Sequence, residues 1–186
     1  MITLFYKDND MKKIKKRLKK TVDNKLQYER YKKRILSNLR KYDDPILLEV
    51  SRDVDFETDK IDDVLALMGR VLSFSKTGVG LAACQIGYNL NIALIQDGDN
   101  RLFMINPEII KESEDKSTLR EGCLSYPGLE LPISRSEEIT VKFFDEKGKE
   151  QTNEYRGLTA RIIQHEIDHL KGACQLYSVW KDNNNK

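Results

Sequence analysis

The sequence predicts an α+β fold, in which mainly antiparallel β-sheets pack around a central metal-binding helix and a basic helix is added at the N-terminus. Three observations support this prediction. The predicted strands cluster ahead of the last long helix instead of alternating with helices. That helix carries the only two histidines of the chain, four residues apart. The first 41 residues are rich in lysine and arginine, so we divide the chain into a basic helical arm, 1–41, and a main domain, 42–186.

Length and composition are those of one globular protein with a substantial core. The chain has 186 residues, of which 39% are hydrophobic and 33% charged. No apolar run approaches the roughly 18 residues that a membrane span needs, and no secretory leader is evident. The three cysteines are odd in number and widely spaced, which favours a reducing compartment. We therefore expect a cytoplasmic location, or an organelle stroma or matrix if the source is eukaryotic, or the host cytoplasm if the source is a phage, and no contact with a membrane.

The arm is strongly basic, whereas the main domain is acidic. Residues 1–41 carry 15 lysines and arginines and 4 acidic residues, a net charge of +11, and residues 42–186 carry a net charge of −9. Apolar residues at steps of three and four predict one long helix or two shorter ones in the arm. They are Met11, Ile14, Leu18, Val22, Leu26, Tyr31, Ile35 and Leu39. The basic face fits a contact with RNA or a ribosome. The interpretation we favour is simpler, a helix that docks on its own domain with its basic face in solvent.

The main domain begins with a turn and a helix. Residues 42–45 read Tyr-Asp-Asp-Pro and predict a turn, and residues 46–50 are expected to be extended. A helix is expected from about Thr58, which can cap it, and Asp62 suits the positive end of its dipole. Its predicted buried face consists of Ile61, Val64, Leu65, Met68, Val71 and Leu72. The Thr-Gly-Val-Gly stretch at 77–80 ends this helix.

Four later segments have the composition of strands. They are residues 91–96, 102–106, 139–145 and 151–155. The first two are joined by a turn rich in Asp, Gly and Asn, and the second ends at Asn106-Pro107. The last two form a hairpin. The polar stretch 111–118 is predicted to be a loop, and a short final strand is expected at 173–179.

The last predicted helix runs from about residue 158 to residue 171, and Gly172 suits its C-terminal cap. In a helix, His165 and His169 stand one turn apart on one face, where two imidazole nitrogens can bind one divalent cation. Glu166 can act as a general base on a water molecule that the metal activates. The alternative is an ordinary salt-bridged surface, because a His-Glu-x-x-His string also recurs by chance. The remaining ligands decide between the two.

A cysteine is the natural third ligand. No further histidine and only one acidic residue follow His169, so the later ligands of the familiar metal-dependent proteases are missing. Cys123 follows Gly122, which lets the backbone bend close to a metal. Cys84 and Cys174 are expected to be small buried residues. One thiolate and two imidazoles leave a fourth position for water, which suits hydrolysis of an amide bond.

Residues 78–85 read Gly-Val-Gly-Leu-Ala-Ala-Cys-Gln and form another candidate constellation. Glycines permit close approach of the backbone to a ligand, and Gln85 offers an amide donor. A phosphate-binding loop is the rival interpretation. It is weak, because the Lys-Ser/Thr pair and the strand-then-helix frame of such a loop are missing.

Three motifs together closely resemble those of the peptide deformylase family. The family carries Gly-x-Gly-Leu-Ala-Ala-x-Gln, then Glu-Gly-Cys-Leu-Ser, then His-Glu-x-Asp-His. This sequence has all three in that order, at residues 78–85, 121–125 and 165–169. The resemblance covers about residues 42–179. It implies removal of the N-formyl group from the N-terminal methionine of nascent polypeptides, with release of formate.

The resemblance also implies a metal site. The implied ligands are Cys123, His165 and His169. They would hold one divalent ion per chain, usually Fe²⁺ in cells, with Zn²⁺, Ni²⁺ or Co²⁺ able to replace it. Glu166 would be the general base and acid, and Gln85 and the backbone N–H of Leu124 would hold the developing oxyanion.

The resemblance further implies where the substrate binds. The implied positions are Val79, Gly80, Glu121, Gly122 and Ile162. The backbone at Val79 and Gly80 would pair with the extended peptide, and Glu121 would pair with Arg135 and steady the cysteine loop. The methionine side chain would enter an apolar pocket, with Val79, Leu124 and Ile162 as its candidate walls.

Three features depart from the usual pattern of the family. The basic arm is longer than the usual start. Glu130 stands where many members carry a basic residue, so the preference beyond the methionine is open. The chain ends soon after the motif helix, and we expect no C-terminal helix there. Two other classes of function also stay open: a metallopeptidase of other specificity, and a non-catalytic homologue that binds peptides.

Overall fold

The computed structural model describes residues 22–75, 77–98 and 100–184. The described helices are α1 (Val22–Leu36), α2 (Asp62–Phe74), α3 (Gly157–Leu170) and α4 (Gln175–Asn184), with short 3₁₀ turns at Pro45–Leu48 and Ala83–Ile86. The strands are β1 (Gly80–Ala82), β2 (Ile92–Asp97), β3 (Asn100–Glu112), β4 (Lys116–Cys123), β5 (Tyr126–Ser136), β6 (Glu138–Phe144) and β7 (Glu150–Arg156). None of the helices in these ranges is both long and apolar enough to span a bilayer.

The strands form two antiparallel sheets. Five of them make one sheet in the order β1-β2-β3-β6-β7, and β4 and β5 form a separate hairpin. Each neighbouring pair is antiparallel. The two strand pairs predicted from the sequence are β2 with β3 and β6 with β7, and both are present. The predicted α+β class with mainly antiparallel sheets is therefore confirmed.

Helix α3 runs through the core rather than over the surface. Ten of its 14 residues are buried, including both histidines and Glu166. Its apolar residues Ile163, Ile167 and Leu170 join the inward residues of the large sheet in one cluster. Complete burial of such a side chain contributes roughly 1.5–3 kcal/mol. An ordinary salt-bridged surface helix, the alternative considered from the sequence, is therefore excluded.

Helix α1 docks on α2 through aromatic contacts. Tyr28 and Tyr31 each meet Phe74 edge to face, with ring centroids 5.8 and 5.7 Å apart. Ile35 is buried in the same cluster. The described part of the arm therefore packs on its own domain, which is the interpretation favoured from the sequence. The earlier part of the predicted helix, residues 11–21, lies outside the described residues.

Two predictions near the start of the main domain are wrong. Residues 45–48 form a 3₁₀ turn instead of an extended segment, because the side chain of Asp44 accepts a hydrogen bond from the backbone N–H of Ile46 at 3.2 Å. Thr58 does not cap α2, which begins four residues later; its hydroxyl donates instead to Asp55 at 2.9 Å. The buried face of α2 was predicted well, since five of its six residues are buried and the sixth is half-buried.

Strand β3 continues past the position where the sequence suggested its end. Asn106 has a φ of 53°, and its side chain bonds to both the N–H (2.8 Å) and the carbonyl (3.0 Å) of Val54. The register with β6 shifts at this point, so the strand bends and resumes. The predicted loop at 111–118 is also wrong, since only residues 113–115 separate β3 from β4.

The segment after α3 is a helix and not the short strand expected at 173–179. In α4, Leu176 is fully buried and Trp180 stacks on Tyr42 with ring centroids 5.4 Å apart. Leu176 and Trp180 are four residues apart and share one face of the helix. In a stretch as short as 173–179, this helical spacing could not be distinguished from the alternation of a strand. The expectation that the chain has no C-terminal helix is therefore wrong as well.

Candidate active site

Four side chains from three parts of the chain converge beside α3. They are Cys123 at the end of β4, His165 and His169 on α3, and Cys174 in the loop that follows. Their sulfur and ring nitrogen atoms all lie within 4.8 Å of one another. Thiolate and imidazole are the ligands that zinc and similar ions take, so this donor set fits a single divalent metal ion. The structure brings the three predicted ligands together and adds Cys174, for which only a packing role was expected from the sequence.

The two histidines approach one point from consecutive turns of α3. Their ring centroids are 5.1 Å apart, and Nε2 of His169 lies 3.1 Å from Sγ of Cys123. Nδ1 of His165 lies 2.9 Å from Oε2 of Glu121. When Nδ1 donates its proton to that carboxylate, Nε2 keeps its lone pair for a metal. Glu121 therefore sets both the orientation and the tautomer of this ring.

Glu121 lies at the centre of a buried ion-pair cluster. Arg135 donates two hydrogen bonds to it, at 2.8 and 2.9 Å, as the resemblance implied, and Arg161 donates another at 2.6 Å. Burial opposes ionisation of this carboxyl group, but the hydrogen bonds from His165 and Arg135 outweigh burial and lower its pKa to about 2. Both oxygens of Glu121 accept hydrogen bonds, so this carboxylate holds the surrounding side chains in place.

Arg161 was not singled out from the sequence, although it joins α3 to the hairpin β4–β5. Its guanidinium also donates to the carbonyls of Ile133 (2.9 Å) and Ser117 (2.7 Å). Arg135 on β5 in turn pairs with Asp168 on α3 at 2.9 Å. These bonds hold the cysteine of β4 next to the histidines. The signal for this role was a charged residue inside an otherwise apolar stretch of the motif helix.

A register shift in the hairpin directs Cys123 towards the helix. Strands β4 and β5 pair regularly as far as Gly122, and the register shifts between Gly122 and Cys123. A Cβ added at Gly122 would meet only ordinary contacts, the nearest at 3.5 Å. That Gly122 lets the backbone bend close to a metal stays a prediction. The irregular pairing accounts for the position of the cysteine.

Gln85 lies against the cysteine in the 3₁₀ turn that follows β1. Its Oε1 accepts a hydrogen bond from the N–H of Ala82 at 2.8 Å, and its Nε2 donates to Oγ of Ser125 at 3.1 Å and to Sγ of Cys123 at 3.4 Å. The N–H of Ser125 also points at this sulfur, at 3.4 Å. Such donors stabilise a thiolate. Because residues 78–85 form a short strand and a 3₁₀ turn, the phosphate-loop interpretation is excluded.

Glu166 is buried and incompletely paired. It is 4% exposed, and its Oε2 has no hydrogen-bond partner among the described residues. Burial raises the pKa of this carboxyl group, and the nearby charges of His165 and His169 only partly oppose that rise. An unsatisfied buried polar group costs about 1–3 kcal/mol. Such a group is typical of an acid or base that acts on a ligand.

Glycine at position 80 makes room for Glu166. A Cβ added at Gly80 would collide with Oε1 of Glu166 and lie 2.8 Å from Cγ2 of Ile162. A Cβ at Gly78 would lie 2.6 Å from Oγ of Ser75. The glycines of this motif therefore do permit a close approach. The group approached at Gly80 is the carboxylate of the protein itself, which was not expected from the sequence.

The sulfur atoms of Cys123 and Cys174 lie within 4.8 Å of each other. Interaction with Cys123 and the charges of His169 and His165 lower the pKa of Cys174 against the effect of burial, and interaction with Cys174 raises the pKa of Cys123. The pair therefore holds a thiolate readily. Gly172 ends α3 with a φ of 65° and turns the chain back towards the metal ligands. A glycine two residues before Cys174 was the feature of the sequence that could have indicated that this cysteine lies at the site.

An open cleft of about 980 Å³ reaches the site. Every predicted site residue except His169 lines it, including the proposed methionine walls Val79, Leu124 and Ile162. His169 is fully buried behind them. Helix α1 contributes Lys32 to the rim, so the arm forms part of the cleft wall.

This arrangement defines a class of protein. A cysteine and two histidines that can hold one metal ion, next to a buried carboxylate at the end of a cleft, are the equipment of a metal-dependent hydrolase. The comparisons with known proteins agree. The family model for polypeptide deformylase matches residues 36–184. The peptide deformylase of Dictyoglomus thermophilum is 40% identical over 138 residues, which is 74% of this chain and 89% of the relative. That of Rhizobium meliloti is 39% identical over 138 residues, 69% of this chain and 76% of the relative.

Solved structures give the same result. The peptide deformylase from Thermotoga maritima is similar with a TM-score of 0.69 and 32% identity, over 73% of this chain and 91% of that chain. A peptide deformylase from Synechococcus elongatus in complex with actinonin gives 0.70 and 32%, over 79% and 85%. The chain belongs to the peptide deformylase family, hydrolases that remove the N-formyl group from nascent peptides. The family match begins at residue 36, and the division of the chain at residue 41 stays a prediction.

Proposed function

We propose that this chain removes the N-formyl group from the N-terminal methionine of newly made polypeptides, using one divalent metal ion held by Cys123, His165 and His169. The observation that carries the proposal is the convergence of these three donors beside the buried carboxylate of Glu166, at the end of an open cleft. Because formylated nascent chains arise where translation takes place, we also propose a location in the cytoplasm.

The proposed ion in the cell is Fe²⁺, with Zn²⁺, Ni²⁺ or Co²⁺ able to replace it. Mixed thiolate and imidazole donors accept several first-row ions. When bound, such an ion lowers the pKa of water and polarises the formyl oxygen. Metal analysis of protein purified without oxygen tests the identity of the ion. We expect iron in that sample, and zinc alone would contradict the proposal.

Glu166 is assigned the proton transfers. Its carboxylate takes a proton from the attacking water and returns it to the nitrogen that leaves. A bond forms between the water oxygen and the formyl carbon, and the bond between that carbon and the nitrogen breaks. The products are formate and a free amine. The raised pKa of Glu166 suits a group that has to hold a proton between the two steps.

Gln85 and Leu124 are assigned to the developing oxyanion. The Nε2 amide of Gln85 lies beside Sγ of Cys123, and its second contact, with Ser125, keeps the amide group in place. Leu124 follows Cys123 in the chain, so its backbone N–H is the second proposed donor. Donors that are fixed before the reaction stabilise charge that appears only in the transition state.

The substrate is proposed to bind as an extended strand beside β1. This strand is an edge of the large sheet, so the backbone around Val79 and Gly80 can pair with a peptide. The methionine side chain would pack among Val79, Leu124 and Ile162. Val79 is 45% exposed and offers an apolar side chain to a ligand. The segment 121–122 forms a further part of the cleft wall.

A formate-release assay with matched peptides tests the proposal. We expect release from a formyl-methionyl peptide, loss of release after metal removal with a chelator, and recovery when a divalent ion is added back. The control is the same peptide without the formyl group, which we expect to stay intact. Cleavage of the unformylated peptide would favour a metallopeptidase, and binding of the formylated peptide without turnover would favour a non-catalytic homologue.

We also propose that the basic face of the arm contacts ribosomal RNA. Helix α1 exposes Lys25, Arg30, Lys33 and Arg34 and flanks the cleft that a nascent chain has to enter. Phosphate contacts of this kind weaken steeply as salt rises. Co-sedimentation with ribosomes should therefore fall with salt. It should fall further when the four basic residues are replaced by glutamine, while formate release from a free peptide is kept. Unchanged co-sedimentation of that variant would refute the contact.

A further inference from the structure

Cys174 offers a sulfur that the proposed function does not use. Its Sγ lies within 4.8 Å of the donor atoms of Cys123, His165 and His169. We propose that Cys174 is a fourth protein ligand of the ion in the resting protein and leaves the ion when water and substrate bind. This inference rests on the proposed function only for the identity of the other three ligands.

The observed spacings suit a closed site with four ligands. With bonds of about 2.3 Å to sulfur and about 2.0–2.1 Å to nitrogen, the donors around a tetrahedral zinc ion lie about 3.3–3.8 Å apart. Sγ of Cys123 and Nε2 of His169 are 3.1 Å apart, and no pair in the cluster exceeds 4.8 Å. All four side chains can therefore reach one ion with small movements.

The turn after α3 holds Cys174 in place. Gly172 is in the left-handed region, and a Cβ there would lie 2.5 Å from the carbonyl oxygen of Leu48. The N–H of Ala173 bonds to the carbonyl of Asp168 at 2.8 Å. Cys174 itself is only 6% exposed. A thiol already fixed by its backbone and shielded from solvent loses little conformational freedom when it binds an ion.

Cys174 approaches the cluster from the buried side. Cys123 and His165 line the cleft, whereas neither His169 nor Cys174 belongs to its lining. A ligand in the cleft therefore meets one sulfur and one ring, with the other two donors behind them. Two thiolates neutralise the charge of a divalent ion. Cys174 would therefore weaken the pull of the ion on a carbonyl oxygen and strengthen the retention of thiophilic ions such as zinc.

X-ray absorption at the zinc edge counts the sulfur neighbours directly. We expect two sulfurs per zinc ion in the wild-type protein and one in Cys174→Ser. The matched control is Cys84→Ala, which removes a buried sulfur outside the cluster and should keep two. All samples are loaded with zinc in a phosphine reductant, which keeps the thiols reduced and adds no sulfur. One sulfur in the wild type, or two in Cys174→Ser, would overturn the proposal. If a variant fails to fold, the number of sulfur neighbours in the wild type alone decides the question.

Zinc retention gives a second measurement. In competition with a chelator, Cys174→Ser should bind zinc at least about tenfold more weakly than the wild type and Cys84→Ala. Equal retention in all three would overturn the proposal. Formate release by the same samples tests the proposed function separately. Its absence from every sample would refute deformylase activity, whereas the sulfur count would still decide whether Cys174 is a ligand.

Discussion

Two buried carboxylates stand in the same site, yet their surroundings differ. Glu121 is 7% exposed and Glu166 is 4% exposed. Both oxygens of Glu121 accept hydrogen bonds, from Arg135, Arg161 and His165. Oε2 of Glu166 has no such partner in the described ranges. Burial acts on both groups, but only the partners of Glu121 overcome it, so its pKa falls to about 2 while the pKa of Glu166 rises.

The difference gives one residue type two environments beside the proposed metal site. A carboxylate locked by two guanidinium groups keeps its charge and holds the proposed metal ligands in place. A carboxylate left with an unpaired oxygen can gain and lose a proton. Pairs of titratable groups whose environments push their pKa values apart are typical of acid and base assignments in enzymes.

The largest expected effect comes from Glu166→Gln, which keeps the shape of the side chain and removes the base. We expect formate release to fall by about 10²–10⁴-fold. The metal content should not change, and the free energy of unfolding should not fall, because an unpaired buried carboxylate is replaced. The control is Glu154→Gln at an exposed position. If Glu166→Gln kept its rate of formate release but lost stability, Glu166 would have a structural role like that of Glu121 instead.

Glu121→Gln should act mainly on stability. It leaves the guanidinium group of Arg161 without its counter-charge and that of Arg135 with Asp168 alone, which costs about 3–5 kcal/mol of unfolding free energy. The affinity for metal should also fall about 10–100-fold, because His165 loses its partner. Urea unfolding and chelator competition measure the two effects.

The matched control for Glu121 is Glu130→Gln. Glu130 pairs with Arg120 at 3.4 Å, and both side chains are more than 60% exposed. An exposed pair of this kind contributes about 1 kcal/mol or less. Equal costs for the two variants would show that the ion-pair cluster around Glu121 does not hold the site together.

Gly80→Ala tests whether the carboxylate of Glu166 needs the space that the glycine leaves free. The new methyl group would collide with Glu166 and press on Ile162. Overpacking of this kind costs about 1–3 kcal/mol. We expect slower formate release with an unchanged metal content. Gly69 lies inside α2, and in Gly69→Ala the nearest atom to the added Cβ is Nη1 of Arg101, at 3.7 Å. This control should therefore stabilise the protein by about 0.5–1 kcal/mol. A normal rate in Gly80→Ala would argue against a role for the glycine.

The smallest expected effect is a pH dependence of opposite sign for the two carboxylates in metal-free protein. The pKa of Glu121 is lowered from 4.5 to about 2, so its contribution to stability is present above pH 4.5 and lost as the pH falls towards 2. The pKa of Glu166 is raised above 4.5, so its contribution is present below pH 4.5 and lost as the pH rises through the raised value.

Unfolding free energies across the acidic range test both signs. The stability gap between the wild type and Glu121→Gln should narrow as the pH falls from 4.5 to 2. As the pH rises above 4.5, the unfolding free energy of Glu166→Gln should increase relative to that of the wild type. Parallel trends would mean that the two carboxylates share one environment.

The metal-binding helix could be predicted because its spacing depends only on the helix itself. His165 and His169 share a face by geometry, and the shortage of later ligands pointed to a cysteine. The hairpin β4–β5 could not be predicted, because most of its β4 residues are exposed and show no apolar alternation. Strand β4 is fixed instead by bonds to Arg161 on α3, which are long-range contacts.

Cys174 was missed for a different physical reason. Its position depends on a left-handed turn at Gly172 that packs against the carbonyl of Leu48, 124 residues earlier in the chain. The helix α4 was missed in the same region, because its burial depends on contact with Tyr42. A pattern within a few residues carries no information about such neighbours.

The guanidinium bridges of Arg135 and Arg161 connect the hairpin to the helix by routes that do not pass through the ion. The thiol and the two rings are thus held in a preassembled cradle by protein contacts alone. Ions should therefore be able to leave and be replaced while the chain stays folded. The supply of metal in the surroundings, rather than the history of folding, would then decide which ion the protein carries.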